Sequence, residues 1–188
     1  LNEAMLELRD EEFPELFAEA EAGTNEPKET AEHMFITDCQ VDTDMELLFP
    51  DDYISNVAER VRLYRELDSL ETEDKLKEYE QQLIDRFGVL PEPTIELFNV
   101  VRMRWMAKRL GFEKIILKNG KMLIWFVSNQ ASPYYQSAIF EKVIRFVQRN
   151  PNIFQMKESK DKLTMSAEQV TTIASAINLL NKINSFTL

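Results

Sequence analysis

From residue 55 to residue 110 apolar positions keep a three- and four-residue period, and beyond Gly111 two-residue alternation and helical spacing take turns. The helical part centres on LIDRFGVLPEPTIELFNVVRMRWMAKRLG. Leu76, Tyr79, Leu83, Ile84 and Phe87 fall on one face of a first helix. Gly88 follows the last of them, where a left-handed cap suits glycine. Pro91 and Pro93 then restart the chain, as proline does in a first helical turn where no donor is lost. From 94 to 110 apolar residues occur nearly all round the wheel: Ile95, Leu97, Phe98, Val100, Val101, Met103, Trp105, Met106 and Leu110. A helix of that kind is covered on more than one side, which predicts a central post.

Elsewhere the pattern is more local. Over 3–21, Met5, Leu8, Phe13, Leu16 and Phe17 predict an amphipathic helix, interrupted or restarted at Pro14. Residues 23–32, GTNEPKETAE, read as a polar linker. Val41, Thr43, Met45 and Leu47 alternate weakly and predict a strand over 41–49, ended by Pro50-Asp51-Asp52. Ser55 is placed to cap a helix that turns Val57, Val61, Tyr64 and Leu67 inward, and Thr72 to cap the next. Strands over 112–117 and 122–127 flank Lys118-Asn119-Gly120-Lys121, a strong hairpin signal. Ser132-Pro133 opens a helix carrying Tyr135, Ile139, Val143, Phe146 and Val147, stopped at Asn150-Pro151. A second hairpin, 153–157 with 163–165, turns through Ser159-Lys160-Asp161. Ser166-Ala167-Glu168-Gln169 has the form of a capping box for a last helix with Val170, Ile173, Ile177 and Leu180 inward. Together these spell an α+β fold, antiparallel β-hairpins packed with helices, with an N-terminal helical appendage. The expected divisions are an appendage over 1–22, a linker over 23–40 and a main domain over 41–188.

Charge sharpens the division. Residues 1–52 hold 17 acidic and 2 basic side chains, whereas the remainder holds 16 and 20. An acidic arm on a near-neutral domain repels phosphate, which argues against non-specific DNA binding by the chain as a whole while leaving a local basic site open. With 44% hydrophobic residues and 10% aromatics, the composition is that of a soluble globular protein. The longest apolar runs fall short of the ~20 residues of a membrane span. The acidic start carries neither a leader pattern nor an initiator Met, so a segment of a longer cytoplasmic protein is expected. Cys39 is the only cysteine, which excludes an internal disulfide and fits a reducing compartment.

Reactive chemistry is sparse. The chain lacks the phosphate-cradling G-x-x-x-x-G-K-[ST] and G-x-G-x-x-G patterns, and the Gly120-Lys121 pair sits in a hairpin turn where a phosphate loop needs a strand-to-helix turn. His33, the only histidine, with the one cysteine cannot build a structural zinc site. Asp51-Asp52 fits either a turn cap or a hard-cation chelate, and Glu78, Asp85, Glu92 and Glu96 lie where solvated helix faces are expected. The expectation is therefore a non-catalytic chain without cofactor or metal.

Three sets of residues fit binding. Gln82, Asp85 and Arg86, at i, i+3 and i+4, form a compact polar patch opposite Leu83 and Phe87, suited either to solvent or to a partner. Arg102, Arg104, Lys108 and Arg109 leave the central helix on two sides, as nucleic-acid contacts or as snorkelling cations. Trp105, Trp125, Phe126, Tyr134 and Tyr135 suit either a core or base stacking.

The run LIDRFGVLPEP, with PDDYI upstream and KRLGFEKI downstream, resembles the C-terminal domain of the bacterial transcription-repair coupling factors, over roughly residues 41–188 and in that family's order. The resemblance implies a parent that is an ATP-driven translocase on duplex DNA, displaces stalled RNA polymerase at lesions and recruits nucleotide-excision repair through UvrA. It implies that this domain clamps a UvrB-like module of the same chain and so masks the UvrA-binding surface. Asp85 and Arg86 match the family's clamp residues, whereas position 82, often acidic there, is glutamine. The alternatives are an accessory domain gripping duplex behind the motor and a stand-alone interaction domain.

Overall fold

The computed structural model describes residues 34–188, which form one unit, Met34–Leu188. The appendage expected over 1–22 with its helix over 3–21, and 23–33 of the expected linker, lie outside the described residues. Residues 34–40, assigned to the linker from sequence, are already packed: Ile36 and Cys39 belong to the core, and β1 (Gln40–Thr43) starts there.

Three helices follow β1: α1 (Val57–Asp68), α2 (Glu73–Phe87) and α3 (Glu92–Leu110). The hairpin β2 (Phe112–Lys118) and β3 (Lys121–Phe126) leads through a 3₁₀ turn (Pro133–Gln136) into α4 (Ala138–Arg149). A second hairpin, β4 (Gln155–Ser159) and β5 (Lys162–Glu168), precedes α5 (Ile173–Asn184). The sheet order is β1-β2-β3-β5-β4. The fold is α+β, as the pattern predicts. Its one parallel pair is β1 with β2, Val41 lying opposite Ile115. No hairpin signal announces that pairing, because the connection carries all three helices, and a parallel pair requires such a crossover.

The central post is real. Val100, Met103, Ala107 and Leu110 of α3 enter one hydrophobic cluster with the inner face of the sheet, α4 and α5. Phe98 and Val101 enter a second cluster with Leu63 and Leu67 of α1 and Leu76, Tyr79 and Leu83 of α2. Buried polar groups tie the loops to the post. Thr94 Oγ1 donates to Leu48 O at 3.0 Å, and Trp105 Nε1 to Leu70 O at 3.0 Å. Tyr134 OH donates to Leu110 O at 2.7 Å, filling one of the carbonyls a helix leaves open at its C-terminus.

Both hairpins turn in two residues with positive φ, Asn119 and Gly120 in the first and Lys160 and Asp161 in the second. That geometry matches the right-handed twist of the flanking strands. Thr72 caps α2 as expected, its Oγ1 accepting from Lys75 N.

Elsewhere the structure differs from the pattern. Strand pairing stops at Thr43, whose Oγ1 accepts from Met45 N and turns the chain, so Met45 and Leu47 pack from a loop. Asn56, not Ser55, caps α1 through Oδ1 to Glu59 N. Val57 and Val61 are 64% and 43% exposed, because α1 turns the larger Leu63 and Leu67 to the core. The helix expected from Pro133 breaks at Ser137, which ends the 3₁₀ turn and caps α4. Ser166-Ala167-Glu168 continue β5 rather than capping, and the box before α5 is Thr172 with Ser175. A capping box needs only four suitable residues, and here the sheet register claimed the earlier set.

Candidate interaction surface

Helix α2 builds the ledge. Leu76, Tyr79 and Leu83 bury one face, with Tyr79 OH donating to Leu63 O at 2.7 Å and its ring edge-on to Phe98. Gly88 ends the helix at φ 88° and ψ −165°, a region open almost only to glycine, and Tyr53 OH donates to its carbonyl at 2.9 Å. With that face and that end fixed, Gln82, Asp85 and Arg86 are left exposed on the other side.

The three are not equivalent. Asp85 Oδ1 accepts from Gln81 Nε2 at 3.0 Å, which orients the carboxylate. Arg86 Nη2 meets Glu59 Oε1 at 2.9 Å, and its guanidinium lies 4.8 Å from the Phe87 ring centroid. The same Glu59 oxygen receives Arg62 Nη2 at 2.7 Å. Hydrogen bonds from Arg62 and then Arg86 hold the Glu59 carboxyl below its usual range, despite some opposing desolvation. Gln82 and Arg86 line a crevice of about 90 Å³ with Tyr79, Leu83, Arg62 and Glu66. Thus α1 supplies Glu59 and Arg62, which sequence reasoning missed. The Glu59–Arg62 spacing signals a helical pair, but its reach to Arg86 depends on how α1 packs on α2. The result is a pre-oriented acceptor and a fork-shaped donor side by side, suited to a polar partner surface.

The basic set is dispersed. Arg102 forks onto Glu73, with Nε–Oε2 and Nη2–Oε1 both at 2.9 Å. Arg104 bridges Asp38, at 2.8 Å, and Asp68. Lys108 is half-buried and Arg109 exposed. Arg102 and Arg104 are therefore engaged within the domain, which weakens the duplex-grip reading. Of the aromatic set, Phe126 and Tyr134 are core, Tyr135 packs against the sheet-side cluster and Trp105 against the helical one. Trp125 belongs to neither.

Of the acidic candidates, Asp51 pairs with Arg60 at 3.0 Å, and Glu96 accepts from Asn99. Among the described residues no group of three His, Cys, Asp or Glu side chains could hold a metal ion, and no helix is long and apolar enough to cross a membrane. Burial pushes the Cys39 thiol up to about 12, with the Asp38 charge adding to it, which leaves a poor nucleophile.

The ion pairs predict an acid response. The Arg102 hydrogen bond lowers the Glu73 carboxyl against its partial burial. At Asp38 burial would raise the carboxyl, but hydrogen bonding and charge from Arg104 override it and leave it lowered. A depressed carboxylate contributes stability that is full above its unfolded pKa, about 4, and is lost as pH falls through the lower folded value. Arg102→Met and Arg104→Met are expected to lower the urea midpoint near pH 6 and to differ progressively less from the parent as pH falls toward about 2. A gap independent of pH would show that these pairs are not what holds the carboxylates down.

These features define an α+β domain that presents a polar ledge on α2. The chain belongs to the TRCF domain family, whose model matches residues 43–137. It is 34% identical over 104 residues to the transcription-repair-coupling factor of Escherichia coli (strain K12), covering 55% of this chain and 9% of that protein. It is 25% identical over 145 residues to that of Rickettsia typhi, covering 77% and 12%. The chain thus spans only about a tenth of the length of these relatives. Its fold matches a crystal structure of the C-terminal domain of transcription-repair coupling factor, with a TM-score of 0.61, 15% identity, and coverage of 79% of this chain and 96% of that one.

Proposed function

We propose that the unit from Met34 to Leu188 is the C-terminal regulatory domain of a transcription-repair coupling factor, with 1–22 the tail of a preceding motor domain and 23–33 the linker. The parent is an ATP-dependent translocase on duplex DNA that displaces stalled RNA polymerase and recruits repair through UvrA. This domain contributes no chemistry of its own. It acts by covering: the α2 ledge clamps the UvrB-like module of the same chain and masks the surface UvrA would bind. The observation that carries the reading is the ledge itself, with Asp85 oriented by Gln81 and Arg86 set by Glu59 and Phe87 on a helix whose other face is buried. Gln82 leaves one charge fewer there than relatives with an acidic residue have, so the clamp rests on Asp85 and Arg86.

The 188-residue chain is expected to retain the separately produced UvrB-like module on a column. Asp85→Ala with Arg86→Ala releases it, and salt weakens the contact because its charges are partly exposed. Retention by the double variant at parental strength would remove this face from the clamp.

A further inference from the structure

Successive residues of the central strands have opposite fates. Ile115, Leu117, Met122, Ile124 and Met165 are fully buried in the cluster shared with the helices. The alternate residues Lys114, Ile116, Leu123, Trp125 and Thr164 are half-exposed, and Ile116, Leu123 and Trp125 join neither hydrophobic cluster. The helices that share a core with the sheet do so through its other face.

This half-exposed face is organised around Trp125. Lys114 lies opposite it on β2, Thr164 opposite it on β5, and Lys157 opposite Thr164 on β4. Lys162 Nζ stands 5.1 Å from the indole centroid. At the hairpin end of the sheet, Lys118 pairs with Asp42 at 2.9 Å and Lys121 with Glu168 at 3.4 Å. Among the described residues, Lys114, Lys157 and Lys162 have no ion pair. Trp125 Nε1 is buried and lacks an acceptor, a rare state for an indole donor.

We infer that this face binds single-stranded nucleic acid, with Lys114, Lys157 and Lys162 on phosphates and Trp125 against one base. Three unpaired cations grouped about one aromatic call for an occupant that brings repeated negative charge together with a flat π surface, and a single strand brings both. Duplex withholds its base faces inside the stack and meets only the lysines. An acidic protein segment likewise answers the charge and leaves the indole unused. Lysine point charges and one stacking ring make no use of a 2′-hydroxyl, so DNA and RNA bind alike. The surface is distinct from the α2 ledge, and it holds the local basic site that the acidic N-terminal arm does not cancel by composition alone.

The test is fluorescence anisotropy of the whole 188-residue chain with labelled oligothymidylate and oligouridylate of about 12 nucleotides, and with a duplex of that length. Both single strands are expected to bind, more tightly than duplex, with a log–log salt slope of about −2 for three phosphate contacts. Lys114→Glu with Lys157→Glu and Lys162→Glu should weaken binding more than tenfold and flatten that slope while the thermal midpoint stays near the parent's. Trp125→Ala should lose about tenfold, and Trp125→Phe should recover most of it. The lysine variant decides the matter if Trp125→Ala unfolds. Absence of binding, unchanged binding by the lysine variant, or equal preference for duplex overturns the inference. So does displacement by polyglutamate as efficient as by unlabelled oligonucleotide, which would mark the face as a site for an acidic protein.

Discussion

Gly111→Ala is expected to destabilise the domain by about 4 kcal/mol, from ~1 kcal/mol of left-handed backbone strain and ~3 kcal/mol of overpacking. Gly111 ends α3 at φ 77° and ψ 32°. A Cβ there would stand 2.6 Å from Tyr134 Cζ, with Cε2 of the same ring nearer still. The ring cannot easily withdraw. It is fully buried, packs against Phe126, Tyr135 and Phe140, and its hydroxyl is tied to Leu110 O. Gly88→Ala is the control. That Cβ would meet nothing within 4 Å, so only conformational strain of about 1–3 kcal/mol remains. Urea unfolding of both variants measures the difference. Equal losses would show that Tyr134 yields, and that the joint between the post and the 3₁₀ turn is soft. The loss at Gly111 is large against the ~5–15 kcal/mol that holds a domain together.

In the full-length parent, Asp85→Ala with Arg86→Ala is expected to raise UvrA affinity by about 5- to 150-fold, the range of a 1–3 kcal/mol coupling between sites. A clamp that masks a surface must hold more strongly than thermal noise yet release when the competitor arrives. Partly exposed charge-assisted hydrogen bonds fall in that window, whereas a buried apolar interface would not release. Glu59 enters the argument because it already neutralises part of Arg86. Glu59→Gln removes that competing charge while its amide oxygen still accepts from Arg86, and should shift UvrA affinity in the opposite direction, tightening the clamp. An unchanged UvrA affinity in the double variant would end the masking role of this face even if the two modules still touch.

The outline of the ledge is legible in the sequence. Leu76, Tyr79 and Leu83 set which side of α2 is buried, and three polar residues at helical spacing follow on the opposite side. Its detail is not legible, since Arg86 is positioned by Glu59, which lies 27 positions away on another helix. Trp125 was one aromatic among five, and only strand register separates it from Phe126, its buried neighbour.

What the sequence determined by itself is the set of features that nearest neighbours settle. Asn119-Gly120 makes its turn because positive φ is cheap there, Thr72 caps because its hydroxyl reaches a donor three residues on, and α3 is a central helix because apolar residues on most of its faces demand cover on two sides. Only the tertiary structure decided between local options of similar merit: Leu63 rather than Val57 and Val61 for the core, Thr172 rather than Ser166 for the cap, and a parallel rather than antiparallel place for β1. Each of those choices turns on contacts between residues far apart in the chain, where burial of one surface excludes another and local propensity is too weak to choose.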